Sequence, residues 1–290
     1  MIIGYGKQWE LLKKSVEEGR ISHAYLFSGP AHLGKKKVAF EFVRLINGAD
    51  INENHPDLIL IKSAQGGEIQ ISQIRELIQK LSLKPYSAPF KCAILDEAHL
   101  MNQEAQNSLL KTLEEPKGKT ILILITGAPE MLFPTIRSRC EILKFSPVKS
   151  SEIEDYLEGQ GISEQKSREI AKLSLGRPGL AISFISDPKK LESQKRVIKE
   201  LAEISKSDLS FRFRYAKDLS RNPDLKEILE IWLFCFREIL LGSLTPGFKI
   251  TGYTFSRLKN IIKQIQSTIF LISNTAVNSR LALEILMLEL

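Results

Sequence analysis

Four short, nearly continuous apolar runs constrain this chain more than any other feature: "AYLFS" (24–28), "DLILIK" (57–62), "CAIL" (92–95) and "TILILIT" (120–126). A strand that is apolar at successive positions has no wet face, as in a parallel sheet covered on both sides. Helical patterns lie between the runs: "KKKVAFEFVRLI" (35–46), "ISQIRELIQKLS" (71–82) and "MNQEAQNSLLKTLEE" (101–115). This alternation predicts a doubly wound α/β domain over residues 1–150. Ligands of such sheets bind at the carboxyl ends of the strands.

The pattern changes after "FSPVKSS" (145–151). Ser151 can cap a helix over "EIEDYLEGQ", Gly161 breaks it, Ser163 starts another, and "GRPG" (176–179) punctuates before "LAISFI". That reads as a small three-helix unit, 151–188, closed by the Asp187–Pro188 turn. Residues 189–290 are helical throughout, with breaks near Asn222–Pro223, Gly242 and Pro246–Gly247, and predict a bundle of about five helices.

No apolar run approaches the ~18 residues of a membrane span. The N-terminus lacks the basic start and cleavage site of a signal peptide. Cys92, Cys140 and Cys235 lie far apart, which argues against a disulfide framework and fits a reducing cytoplasm. No Cys/His pair has zinc-ligand spacing, so no metal is expected. The net charge of +7 is spread as +4 over 1–150, −3 over 151–188 and +6 over 189–290. Charge this diffuse fits a mildly basic solvated surface as well as a neighbour of nucleic acid.

"SGPAHLGKK" (28–36) follows one predicted strand and opens a predicted helix. It has the Gly-x-x-x-x-Gly-Lys spacing of a phosphate-cradling loop. Gly29, Pro30 and Gly34 shape the turn, backbone amides at the helix N-terminus face phosphate oxygens, and Lys35 adds a point charge. Lys36 stands where a hydroxyl would hold magnesium. His32 sits where a backbone with φ > 0 favours glycine. Downstream, Asp96 and Glu97 end a buried strand. They read either as the magnesium and water ligands of a nucleotide hydrolase or as a cap on the next helix. Ala98, Met101, Ala105, Leu109 and Leu113 fall on one helical face, the face expected to pack on the sheet.

Taken together, "RISHAYLFSGP" (20–30), "HPDL" (55–58), "LDEAHLMNQEAQNSLLKTLEEP" (95–116) and "PTIRSRC" (134–140) resemble the clamp-loader branch of the AAA+ ATPases. Within that branch they are most similar to the delta-prime group of the bacterial DNA polymerase III clamp loader. The resemblance covers residues 1–180; the last hundred match in length and helical character. It implies an α/β AAA+ domain (1–150), a three-helix lid (151–188) and an all-α collar for oligomerisation (189–290). It also implies an arc of subunits that uses ATP to place a sliding clamp on primed DNA.

Further implications attach to single residues. In this family each ATP site takes an arginine from the neighbour's Ser-Arg-Cys motif, here Ser138, Arg139 and Cys140. Taken outside this motif, Arg139 reads first as a surface arginine in a weak salt bridge; the motif turns the reading to the finger role. Thr126 matches the position that senses the γ-phosphate, although a strand-end hydroxyl commonly caps the next turn. The lid arginine of the family is replaced by Gly179, with Arg177 two residues away. The chain therefore lacks both the magnesium hydroxyl and the lid arginine. It is expected to have no ATPase activity of its own, while weak binding of ATP or ADP stays open. Implied partners are the gamma/tau ATPase subunits and the delta subunit, with primer-template DNA inside the assembly, the sliding clamp indirectly, and no membrane. Two alternatives remain: a working gamma/tau-like ATPase, and another AAA+ protein that binds DNA through its basic C-terminal half. Many relatives carry a four-cysteine zinc module before the His-Pro-Asp motif. The interval "RLINGADINEN" (44–54) has no cysteine.

Overall fold

In the computed structural model, which describes residues 2–63, 67–241, 252–274 and 277–290, the four apolar runs lie side by side in one sheet. They form β1 (Ala24–Ser28), β2 (Leu58–Ile61), β3 (Lys91–Leu95) and β4 (Thr120–Thr126), joined by β5 (Glu141–Lys144). The order is β2-β3-β4-β1-β5, and every pairing is parallel. The two-residue period of a strand sorts side chains to opposite faces. Tyr25, Phe27, Ile94, Ile121 and Ile123 enter one core; Ala24, Leu26, Leu95, Leu122 and Leu124 enter the other.

α1 (Gly6–Glu17) and α2 (Lys35–Asn47) cover the first face through Leu12, Val38, Phe42 and Val43. α3 (Ile71–Leu81), α4 (Gln103–Glu114) and α5 (Pro134–Arg137) cover the second through Ile74, Leu77, Leu109, Leu113 and Ile136. This is the doubly wound arrangement that the apolar runs predict. Burying a large apolar side chain contributes ~1.5–3 kcal/mol, and aromatic geometry adds to it on the first face. There Tyr25 meets Phe42 edge to face at 5.2 Å between ring centroids.

Several local expectations need correction. α1 was not foreseen. Its N-cap, Tyr5, sits at φ 60 without a side-chain cap, and Leu12 is its one buried residue. The usual start signal is missing, although Trp9, Leu12 and Val16 fall on one face and pack on the first core. β5 is four residues long with Leu143 alone buried, too short for a periodic signal. Ser151 does not cap a helix: α6 (Ser150–Gly159) begins one residue earlier, with Lys149 at the cap. The helix expected from residue 101 starts at Gln103, because the Asn102 side chain accepts the Ala105 N–H and fixes the first turn there. Ala98, Met101, Ala105, Leu109 and Leu113 are all buried in the second core, as their spacing predicts.

α7 (Glu164–Leu173) and α8 (Pro178–Ser186) complete the segment after the sheet. Five more helices follow among the described residues: α9 (Pro188–Ile204), α10 (Leu209–Leu219), α11 (Leu225–Leu240), α12 (Phe255–Asn274) and α13 (Ser279–Glu289). Asp187, Asp208 and Asn278 cap three of them with side-chain oxygens. Asn222–Pro223 falls between α10 and α11, as its composition predicts. The breaks at Gly242 and Pro246–Gly247 lie outside the described residues. The chain divides into two compact units, Met1–Ile182 and Ser183–Leu290. Within the second, Arg212 donates to the carbonyls of Ile204, Ser205 and Met287, so it ties helix ends together.

Candidate functional site

The phosphate-loop sequence does form the turn from β1 into α2. Gly29 sits at φ 148, and a Cβ there would lie 2.2 Å from the Phe145 carbonyl oxygen, so only glycine fits. Gly34, at φ 83, is the N-cap of α2. His32 takes φ 62. The histidine therefore accepts the left-handed backbone it was expected to resist, at a local strain of ~1–3 kcal/mol for a non-glycine residue.

The contents of the loop are its most telling feature. Lys35 is 6% exposed, and its ammonium donates to the carbonyls of Gly29 and Pro30. Gly179, at the start of α8, donates its N–H to the His32 carbonyl at 2.8 Å. A Cβ at 179 would stand 2.7 Å from that same oxygen. Residue 179, where the resemblance leads one to expect a cation, is thus a backbone contact on the loop. Gly179→Arg is expected to overpack this contact rather than restore a sensor. At ~1–3 kcal/mol for overpacking and ~2–4 °C per kcal/mol, Tm should fall by several degrees, with no gain in magnesium-dependent hydrolysis. Calorimetry and phosphate release on the same sample check both.

Lys36 and Asp96 line one 110 Å³ cavity with Glu53, Leu60, Ile61, Lys62 and Ile94. A cation thus shares the space where the nucleotide-hydrolase reading puts a metal-binding hydroxyl. Asp96 Oδ1 accepts the Glu97 N–H at 3.0 Å, and Glu97 takes φ 54. The short 3-10 turn that follows (Ala98–Leu100) has no side-chain cap, and α4 is capped by Asn102, so neither acid caps a helix. Thr126, paired in register with Ser28, is buried. Its hydroxyl accepts the Ala128 N–H at 3.0 Å and lies 3.3 Å from His99 Nδ1. The strand-end capping role is therefore filled, at the end of β4 beside the phosphate loop. Measured against the resembled family, these residues do not supply the full donor set of a magnesium–triphosphate hydrolytic centre: Lys36 stands where the hydroxyl ligand is expected and Gly179 where a guanidinium is expected.

Arg139 follows α5, away from that cavity's lining. Its side chain is 34% exposed. Nη1 donates to the Thr135 carbonyl at 2.9 Å, and Nη2 lies 2.7 Å from Glu114 Oε1. Ser138 is exposed and donates to Thr135 O at 3.1 Å. The Cys140 thiol packs against the second core, and burial pushes its pKa up to about 12, so it stays protonated.

Three residues outside the expected set hold this corner and the sheet end. His23 Nε2 donates to Leu113 O at 3.0 Å and anchors the last turn of α4. Gln106, 4% exposed, donates to Met131 O and accepts the Phe133 N–H at 2.8 Å, fixing the segment that leads into α5. Asp57 of the His-Pro-Asp stretch is 0% exposed and accepts three backbone N–H groups, from Tyr86 (2.6 Å), Ser87 (2.8 Å) and Ala88 (3.0 Å). The Lys91 ammonium is 3.7 Å away. Burial alone would raise this carboxyl; the three N–H donors and Lys91 outweigh it and hold the pKa below its ordinary value of 3.8. For Asp57 the readable signal is an acid one residue before an apolar strand.

Residues 4–149 match a family profile described as DNA polymerase III, delta subunit. The delta-prime subunit of DNA polymerase III from Bacillus subtilis is 34% identical over 252 residues, which cover 80% of this chain and 75% of that one. This chain belongs to the delta-prime family of DNA polymerase III subunits. The tau subunit of the same organism is similar at a lower level, 28% identical over 285 residues. That match covers 86% of this chain, which spans about half, 51%, of the tau subunit. Among solved structures, a DNA polymerase III gamma subunit-related protein from Thermotoga maritima superposes with a TM-score of 0.50 at 18% identity, covering 97% of each chain. That likeness concerns the fold, and it agrees with the AAA+ architecture expected from the sequence. Both the delta-prime resemblance and the preference for it over tau are borne out.

Proposed function

We propose that this delta-prime subunit works in the bacterial cytoplasm as a largely non-catalytic part of the DNA polymerase III clamp loader. It completes the ATP site of a neighbouring gamma/tau-type subunit with Arg139 while its own pocket stays idle. One observation carries the reading. The single Ser-Arg-Cys arginine stands at the surface on weak partners, whereas Lys35 is turned into its own loop and Gly179 closes over it. A guanidinium placed on developing phosphoryl charge raises the rate ~10³–10⁵-fold, roughly 4–7 kcal/mol of barrier. The planar fork of arginine matches phosphate oxygens, which a lysine does not.

In this reading the lid comprises residues 151–188 and the helices of 189–290 form the collar that meets the other subunits, delta included. Primer-template DNA is met inside the assembly through phosphate contacts, and the clamp is met indirectly. A direct DNA reader built on "FRFRY" (211–215) is disfavoured, because Arg212 is spent on three helix-end carbonyls. The purified chain should release no phosphate from ATP with magnesium. Turnover that disappears on Lys35→Ala would instead establish the gamma/tau-like ATPase.

A further inference from the structure

Three of the stretches that mark the family, residues 20–30, 95–116 and 134–140, meet at one corner of the α/β unit. His23 holds the Leu113 carbonyl, and the next residue, Glu114, holds Arg139. Glu114 is the last residue of α4. A carboxylate is disfavoured there, because the helix dipole places partial negative charge at the C-terminus. Glu115 follows directly and adds like charge. The Arg139 guanidinium offsets this at 2.7 Å, although Glu114 itself is 49% exposed.

The two ends of the guanidinium are held differently. Nη1 is on a backbone carbonyl, Thr135 O, which is fixed in α5; Nη2 is on a half-exposed side-chain carboxylate. Carboxylate and phosphate oxygens are alternative partners for the same edge of an arginine fork. We infer that Glu114 is a positioning residue: its carboxylate stands in for a phosphate oxygen and parks Arg139 on its own subunit until a neighbour's nucleotide displaces it. The inference rests on the finger role proposed above. Nη1 stays on Thr135, so exchange needs one oxygen for another at Nη2 and no rebuilding of α5. An exposed ion pair is weak enough to yield to a polyanion, yet it competes with it.

The test uses the assembled loader, reconstituted with its gamma/tau-type subunit, with ATP as the probe. Glu114→Gln should lower the ATP concentration for half-maximal turnover about two- to fivefold, the range set by an exposed pair. Maximal turnover should change less than about twofold, as expected when only ground-state competition is removed. In an Arg139→Ala background the same substitution should have no effect. An unchanged or raised half-saturation value, or an equal shift without Arg139, overturns the parking role. If Arg139→Ala leaves turnover untouched, the finger role itself fails. If Arg139→Ala slows turnover while Glu114→Gln is silent, only the parking role fails.

Discussion

Arg139→Ala should slow hydrolysis at the interface this chain completes by ~10³-fold or more, with the assembly intact. The side chain is 34% exposed, and its own-chain contacts are one surface ion pair and one backbone carbonyl. An exposed ion pair contributes ~0–1 kcal/mol, so its loss should leave the fold undisturbed. Arg139→Lys should recover little, since a single ammonium cannot hold the Thr135 carbonyl through one arm of a planar fork while the other arm meets a phosphate oxygen. Single-turnover phosphate release, run beside size-exclusion chromatography of the complex, separates a chemical defect from a failure to assemble.

The largest stability effect is expected at Asp57. Asp57→Ala orphans the N–H groups of Tyr86, Ser87 and Ala88 and leaves Lys91 buried beside an empty site. Breaking a buried, hydrogen-bonded charge pair from one side costs ~3–5 kcal/mol, on the order of 10 °C in Tm for a domain of this size. The pH dependence has a definite sign. The folded pKa lies below 3.8, so this contribution is complete above the unfolded value and is lost as pH falls through the folded pKa. Denaturant titrations at neutral pH and at about pH 3 should bring the two proteins closer together in acid. A constant gap would assign the effect to packing instead.

The legible parts of this molecule share a cause. Strands buried on both faces leave runs such as "TILILIT" that admit few other readings, and the register of β1 against β4 places Ser28 opposite Thr126. The loop spacing gave the position of Lys35, and family motifs singled out Arg139. What could not be read concerns partners distant in sequence. Nothing near Glu114 in the chain announces Arg139, and nothing near Gly179 announces the His32 carbonyl. β5 buries one side chain of its own, and α1 starts without a capping side chain, so each depends on the neighbouring sheet and linker. Tyr5, for example, donates its hydroxyl to Ser146 O, across 141 residues. His32 takes φ 62 against its propensity, in a loop where its carbonyl accepts the Gly179 N–H from far along the chain.

Turnover measured for this chain alone, for its gamma/tau-type partner alone, and for the two together tests the central claim most directly. The account predicts silence from the lone chain, a clear acceleration in the mixture, and loss of that acceleration with Arg139→Ala. Magnesium-dependent hydrolysis by the lone chain that vanishes with Lys35→Ala, together with a mixture indifferent to Arg139→Ala, would contradict it.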